Sequence, residues 1–276
     1  MNKIKKTEDF PVGKFVKRSL KPVVDAYYNA AREADDVADC ASLSCNEKLE
    51  KLKNIRKDFC DASDTIAGKL GKIFAKENLD YRLFVDLLEA FENDAKGQNF
   101  EIWEQVLYYC QYSAAPVGRF MLAIHDEAPS TYMPAETLCA VLQIVNFLRD
   151  MKDDMCKLKR CYMPEDLLQK YGVWKRDFCL SHETLGVNLL KKEVLTRLEA
   201  MLKDAKILLS LIKNFRLKIE LGVIFSLTNI MIKKMYESDI IAQKQKLSRF
   251  DWMWAVVCGM CLAFVTRKKS CSINLK

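Results

Sequence analysis

Two short runs of the chain carry carboxylates at a spacing suited to chemistry. In ETLCAVLQIVNFLRDMKDD, residues 136–154, Gln143, Asn146, Asp150 and Asp154 stand at i, i+3, i+7 and i+11. At about 100° per residue they share one narrow stripe of a helix. Leu138, Val141, Leu142, Ile144, Val145, Phe147 and Leu148 make the rest of that run apolar around most of its circumference. A helix of this kind is normally buried. Unpaired buried charge is very costly. On this stripe alone two solutions stay open: pairing with Lys or Arg, or a cation site at the wall of a cavity.

A second run repeats the pattern. In YYNAAREADDVAD, residues 27–39, Tyr28, Arg32, Asp35 and Asp39 stand at i, i+4, i+7 and i+11, with Asp36 beside them. Two such helices facing each other edge a pocket with oxygen ligands. Mg²⁺ prefers oxygen and binds through a few carboxylates together with substrate phosphates. Arg32 and Arg149 add positive charge for the same phosphates. The chemistry this points to is a metal-bound diphosphate. The bland reading of Arg32 is an ion pair to Asp35 or Asp36 at helical spacing.

The elements that must position these stripes read as helices. Half of the 276 residues are hydrophobic, and only nine Gly and six Pro punctuate them. That excludes a mainly disordered chain and favours an all-α domain over a sandwich or a Rossmann sheet. We expect a single domain over 1–276, with helices at 22–39, 47–76, 81–95 and 164–171, and from about 134 through the second stripe. Residues 47–76 read as one long helix, with a break near Gly68 and Gly71. Pro116 and Gly118 split 100–126 into two pieces. Residues 155–163 read as a loop, and 181–212 and 214–237 as two further helices. The apolar tail 250–266 reads as a final core helix. Its alternative is a membrane-contacting surface, since Trp252, Trp254 and the trio Arg267, Lys268 and Lys269 suit an interfacial anchor.

The net charge is +7, with no basic block interleaved with aromatics. Nucleic-acid binding is therefore not indicated; anionic substrates or an anionic membrane surface are. Eleven cysteines show no repeating spacing, and the opening MNKIKKTEDF has no apolar signal region. Free thiols in the cytoplasm are expected. Cys258 and Cys261 form a CxxC without a second pair, so core packing is expected there. Two histidines, His125 and His182, are too few for a histidine-rich metal site.

With these residues assembled, the chain resembles the squalene/phytoene synthase family of head-to-head isoprenoid synthases. AREADDVAD at 31–39 is similar to that family's first aspartate-rich motif. Gln143, Asn146, Arg149, Asp150 and Asp154, followed by Arg160, Tyr162, Pro164 and Asp166, are similar to its second motif and the flap that follows. The entry FPVG, the stretch FVDLLEAFENDAKGQNFEIWEQVLYYC, the run SAAPVGR at 113–119 and KLSRFDW at 246–252 look most like the hydroxysqualene synthase branch of the bacterial hopanoid route. The flap between Asp154 and Arg160 is one residue longer than the family's, and Lys159 replaces its usual Gly.

The resemblance implies an isoprenoid-synthase-type helical domain with a central cavity between the two aspartate-bearing helices. It implies that Asp35, Asp39, Asp150 and Asp154, with Asp36 and Asn146, hold Mg²⁺ ions that bind a prenyl diphosphate. Arg32, Arg149 and Arg160 would offset the diphosphate charge, and Gln143, Tyr162 and Phe10 would contact substrate. Tyr28, Phe10 and Tyr109 are candidates to stabilise a carbocation through their ring faces. The implied reaction converts presqualene diphosphate and water to hydroxysqualene and diphosphate, without NADPH. Condensation of two farnesyl diphosphates to presqualene diphosphate, phytoene synthesis, and a non-catalytic scaffold of the same fold are the alternatives. A scaffold would be marked by loss of stripe aspartates, and all four are present.

Overall fold

The computed structural model describes residues 13–273, which form twelve α-helices and no strand. The first, α1 (Lys21–Ala38), starts with Pro22 in its opening turn, where a missing N–H costs nothing. Tyr27, Ala30, Ala34 and Ala38 are its buried stripe. The acidic stripe lies one residue over, about 100° around the helix, at the edge of the buried face. Tyr27 is the anchor of α1. Its ring stacks on Phe120 at 4.0 Å, and its hydroxyl donates to the Leu83 carbonyl at 2.7 Å.

Residues 47–76 do not form one helix. α2 (Cys45–Cys60) opens two residues earlier than expected, because Ser44 and Glu47 make a reciprocal capping box. The break falls at 61–65, where Ala62 takes φ +51°, and Thr65 caps α3 (Ile66–Lys76). Gly68 and Gly71 do not break a helix. They let α3 approach the end of α2: a Cβ at Gly71 would lie 2.0 Å from the Phe59 carbonyl oxygen.

α4 (Arg82–Lys96) follows, and then α5 (Trp103–Ser113) and α6 (Ala115–Ala123), which meet at a kink at Ala114 just before Pro116. α7 (Tyr132–Asp153) carries the second stripe and is buried at Leu138, Val141, Ile144, Val145, Leu148 and Met151. It packs on α5, α6, α9 (Leu185–Ala205) and α11 (Phe215–Glu237), while α1 packs on α2, α3 and α4. α4 in turn packs on α5 and α6 and joins the two halves. α8 (Glu165–Lys170) is short, and α10 (Leu208–Leu211) is a separate turn, so 181–212 is not one helix.

The expected loop 155–163 begins as helix instead. Residues Asp154–Leu158 form a π-helical turn. Lys159 closes it in the left-handed region, at φ +58°. A π turn accommodates one residue more than an α turn. Cys156 in that turn and Cys179 are joined by a disulfide, contrary to the expectation of free thiols throughout.

α12 (Arg249–Ile273) packs on α11, but it is not a core helix. Only one of its faces is covered, and Cys261 of the CxxC is exposed rather than packed in the core.

Candidate active site

The segment after α7 carries the link between the two acidic stripes. The Lys159 N–H closes the π turn on the Asp154 carbonyl, the Arg160 N–H donates to the same carbonyl at 3.1 Å, and the Arg160 side chain reaches α1. There its Nη1 lies 2.7 Å from Asp39 Oδ1, and its Nη2 donates to the Ala38 carbonyl at 2.8 Å. Ala38 is the last residue of α1, so the guanidinium also satisfies a helix-end carbonyl. Arg160 is 9% exposed.

Asp94 of α4, which the sequence reading did not single out, stands behind this pair. It lies 3.8 Å from Arg160 Nη1 and accepts from the Tyr109 hydroxyl at 2.8 Å. Burial pushes its carboxyl up to about 6, against the opposing pull of Arg160, Tyr109 and Tyr162. Burial works against charge on Arg160 too, but Asp94, Tyr162 and Asp39 outweigh it and hold the guanidinium firmly protonated. Burial, with Asp94 next, raises the Tyr109 and Tyr162 hydroxyls well above the usual phenol range. These tyrosines are neutral hydrogen-bond donors.

Beneath the ion pairs lies an aromatic floor. Tyr162 stacks on Phe147 at 4.0 Å with the rings 4° from parallel, and Tyr109 lies 5.8 Å from Tyr162. A small cleft of about 10 Å³ opens between Phe147, Met151, Asp154, Arg160 and Tyr162.

On α1, Arg32 sits between two carboxylates, 2.9 Å from Asp35 and 3.4 Å from Asp36. On α7, Arg149 grips Asp150 with two nitrogens, at 2.9 and 3.3 Å. Lys244, from the segment between α11 and α12, pairs with Asp150 and lies 3.7 Å from Asp153. Burial alone would raise the Asp150 carboxyl, but Arg149 and Lys244 override it and hold it below the usual range. Lys244 was also missed. The only signal for it was a short basic run, QKQK, with no indication of where it folds back.

Asn146 is half-buried on α7, and its Oδ1 is buried without a hydrogen-bond partner. Gln143 lies one turn earlier and is half-buried. Tyr28 is 41% exposed at the outer end of the α1 stripe. Phe10 lies outside the described residues.

Thus Asp39, Arg160, Tyr162 and Asp154 come together with Asp94 and Tyr109, while Asp150, Arg149 and Lys244 form a second group. Among the described residues no three carboxylates are gathered at metal-ligating spacing. The donors still suit a hard cation. They are carboxylate oxygens now held by ammonium and guanidinium groups, plus one orphaned amide oxygen on Asn146. Mg²⁺ takes a few protein oxygens and completes its shell from phosphate and water, so a preformed cage is not required.

A hydroxysqualene synthase from Rhodopseudomonas palustris is 31% identical over 268 residues, spanning 96% of this chain and 92% of that protein. A presqualene diphosphate synthase from Zymomonas mobilis is 30% identical over a shorter 154 residues, 54% of this chain and 53% of the relative. The crystal structure of squalene synthase HpnC from Alicyclobacillus acidocaldarius is 27% identical. It covers 82% of this chain and 86% of its own, with a TM-score of 0.72. The squalene/phytoene synthase family model matches residues 6–251, and this chain belongs to that family of enzymes.

Proposed function

We propose that the chain is a Mg²⁺-dependent hydroxysqualene synthase, acting on presqualene diphosphate in hopanoid-type isoprenoid biosynthesis. The observation that carries this reading is two sets of paired carboxylates and cations, Asp39 with Arg160 beside a floor of stacked aromatic rings, and Asp150 with Arg149 and Lys244. Asp35, Asp36, Asp39, Asn146, Asp150 and Asp154 would hold the metal. Bound there, Mg²⁺ supplies the charge neutralisation that makes diphosphate a leaving group.

The chain's own cations share that task. Arg32, Arg149, Arg160 and Lys244 are each tied to a carboxylate, so their positions are set before substrate arrives. Prepositioned charge does not have to reorganise as the C–O bond breaks. The carbocation left behind needs an apolar wall that excludes bulk water. The faces of Tyr162, Phe147 and Tyr109 are suited to it. One water must still reach the cation and lose a proton. Presqualene diphosphate and water then give hydroxysqualene, diphosphate and a proton. The Zymomonas presqualene diphosphate synthase matches a shorter stretch than the Rhodopseudomonas hydroxysqualene synthase, which supports the later step.

The test supplies presqualene diphosphate and farnesyl diphosphate separately, with Mg²⁺ and no NADPH, and follows lipids and diphosphate. Hydroxysqualene from presqualene diphosphate is expected. Presqualene diphosphate formed from farnesyl diphosphate would move the protein to the earlier step. Silence in both tubes from folded protein would point to another substrate or to a scaffold.

A further inference from the structure

α12 has two opposite faces with opposite character. Ala255, Gly259 and Ala263, at i, i+4 and i+8, are buried against α11. This stripe of small residues brings the backbones together: a Cβ on Gly259 would lie 2.5 Å from the Val223 nitrogen. The other face carries Phe250, Met253, Trp254, Val257, Met260 and Phe264, all exposed, with Trp254 at 64% and Phe264 at 54%. Between Trp252 and Thr266 there is no charged residue on any face. An outward helical face of this size on a soluble protein marks a contact surface.

Its surroundings say what kind. At one end, Lys14 sits over the Trp252 ring at 4.4 Å, and Lys246 and Arg249 precede the stripe. The nearby carboxylate, Asp251, is neutralised by Lys234 and bound by the Ser248 N–H and hydroxyl. At the other end, Phe215 packs on Phe264 at 5.2 Å, between Lys213 and Arg216 in sequence, and the helix runs on into Arg267, Lys268 and Lys269. An apolar stripe with cations at both ends matches an anionic lipid surface. A second copy meeting the same face about a two-fold axis would bring like charges together at the rim.

The segment Arg249–Thr266 is also long and apolar enough to cross a bilayer. Its packing favours lying flat. α12 runs along α11, a helix with buried Glu220, Lys218 and Thr228, and the Lys234–Asp251 pair fastens its first turn.

We propose that the outer face of α12, from Phe250 to Phe264, seats the protein on the surface of an anionic phospholipid bilayer, with the helix in the plane of the interface. The proposal is read out by lipid binding and stands apart from the reaction assigned above.

The test is flotation of the full chain with vesicles of phosphatidylcholine alone and of phosphatidylcholine mixed with phosphatidylglycerol. Flotation with the mixed vesicles is expected, about tenfold or more tighter than with the neutral ones. The double variant W254D/V257D should lose at least tenfold in binding. It should keep its circular dichroism and melting temperature, because both side chains are exposed. Three results would overturn the proposal. One is no flotation with either vesicle. The second is a dimer seen by light scattering that the double variant dissociates without any vesicle binding, which assigns the face to a second copy. The third is bound protein that resists an alkaline carbonate wash, which means a spanning helix.

Discussion

Arg160 and Asp39 meet at 2.7 Å although 121 residues separate them in the chain. This contact joins the end of α1 to the flap after α7, and with Asp94 it places one guanidinium between two carboxylates. Removing one partner of a buried ion pair leaves uncompensated charge and costs about 3–5 kcal/mol. Asp39 remains partly solvated, which lowers that figure. Arg160→Met should therefore destabilise the protein by about 2–4 kcal/mol in urea unfolding at neutral pH. In the double variant with Asp94→Asn the additional cost should shrink, since one stranded charge is gone. A loss too small to measure would mean that the pair does not anchor the flap.

Asp94 makes stability depend on pH in an unusual direction. Its folded-state pKa of about 6 lies above the ordinary carboxylate value. Between about pH 4 and 6 the folded chain therefore keeps a proton that the unfolded chain has shed, and stability falls as pH rises through that window. The full loss, on the order of 2–3 kcal/mol, is present above it. Asp94→Asn can still accept from Tyr109 and cannot ionise. It should match the parent near pH 4 and exceed it at pH 7, as read by denaturation at both values. Parallel pH profiles for the two proteins would contradict the assignment.

Lys244 holds Asp150, a carboxylate proposed to face the metal, and its ammonium also approaches Asp153. A divalent cation must compete with it. Lys244→Met should lower the Mg²⁺ concentration that half-saturates thermal stabilisation several-fold in the absence of substrate. The same change should weaken retention of inorganic diphosphate with Mg²⁺, because one cation beside Asp150 is lost. An unchanged Mg²⁺ midpoint would show that Lys244 and the metal do not share a site.

The two acidic stripes were legible because helical periodicity alone puts residues at i, i+3 or i+4, i+7 and i+11 on one line. The kink before Pro116 was legible for a similarly local reason, a missing N–H. Asp94 and Lys244 were not legible. Nothing near either residue in sequence says that α4 packs behind Arg160 or that the segment after α11 folds back to α7. Gly68 and Gly71 misled because glycine serves both to break helices and to let them touch. The outer face of α12 misled for a different reason. A run such as WMWAVVCGMCLAFV has the composition of a core helix, and only packing reveals that one side was left uncovered.

Lys159 gives the flap a separate test. It holds φ +58° and ψ +30°, a left-handed conformation that costs a residue with a Cβ about 1–2 kcal/mol and costs glycine almost nothing. Glycine gives back part of that gain through the greater freedom of the unfolded chain, about 0.5–1 kcal/mol. The substitution also removes the hydrogen bond from the Lys159 ammonium to the Cys156 carbonyl, 3.2 Å long, which is exposed and contributes little. Lys159→Gly should therefore raise stability by about 0.5–1 kcal/mol, measured by chemical denaturation. The effect should be local. Amide exchange in 155–161 should slow, because the π turn that carries Arg160 to Asp39 would no longer be closed by a strained residue. Unchanged exchange there, or a drop in stability, would mean that the side chain of Lys159 contributes more to the flap than its backbone costs.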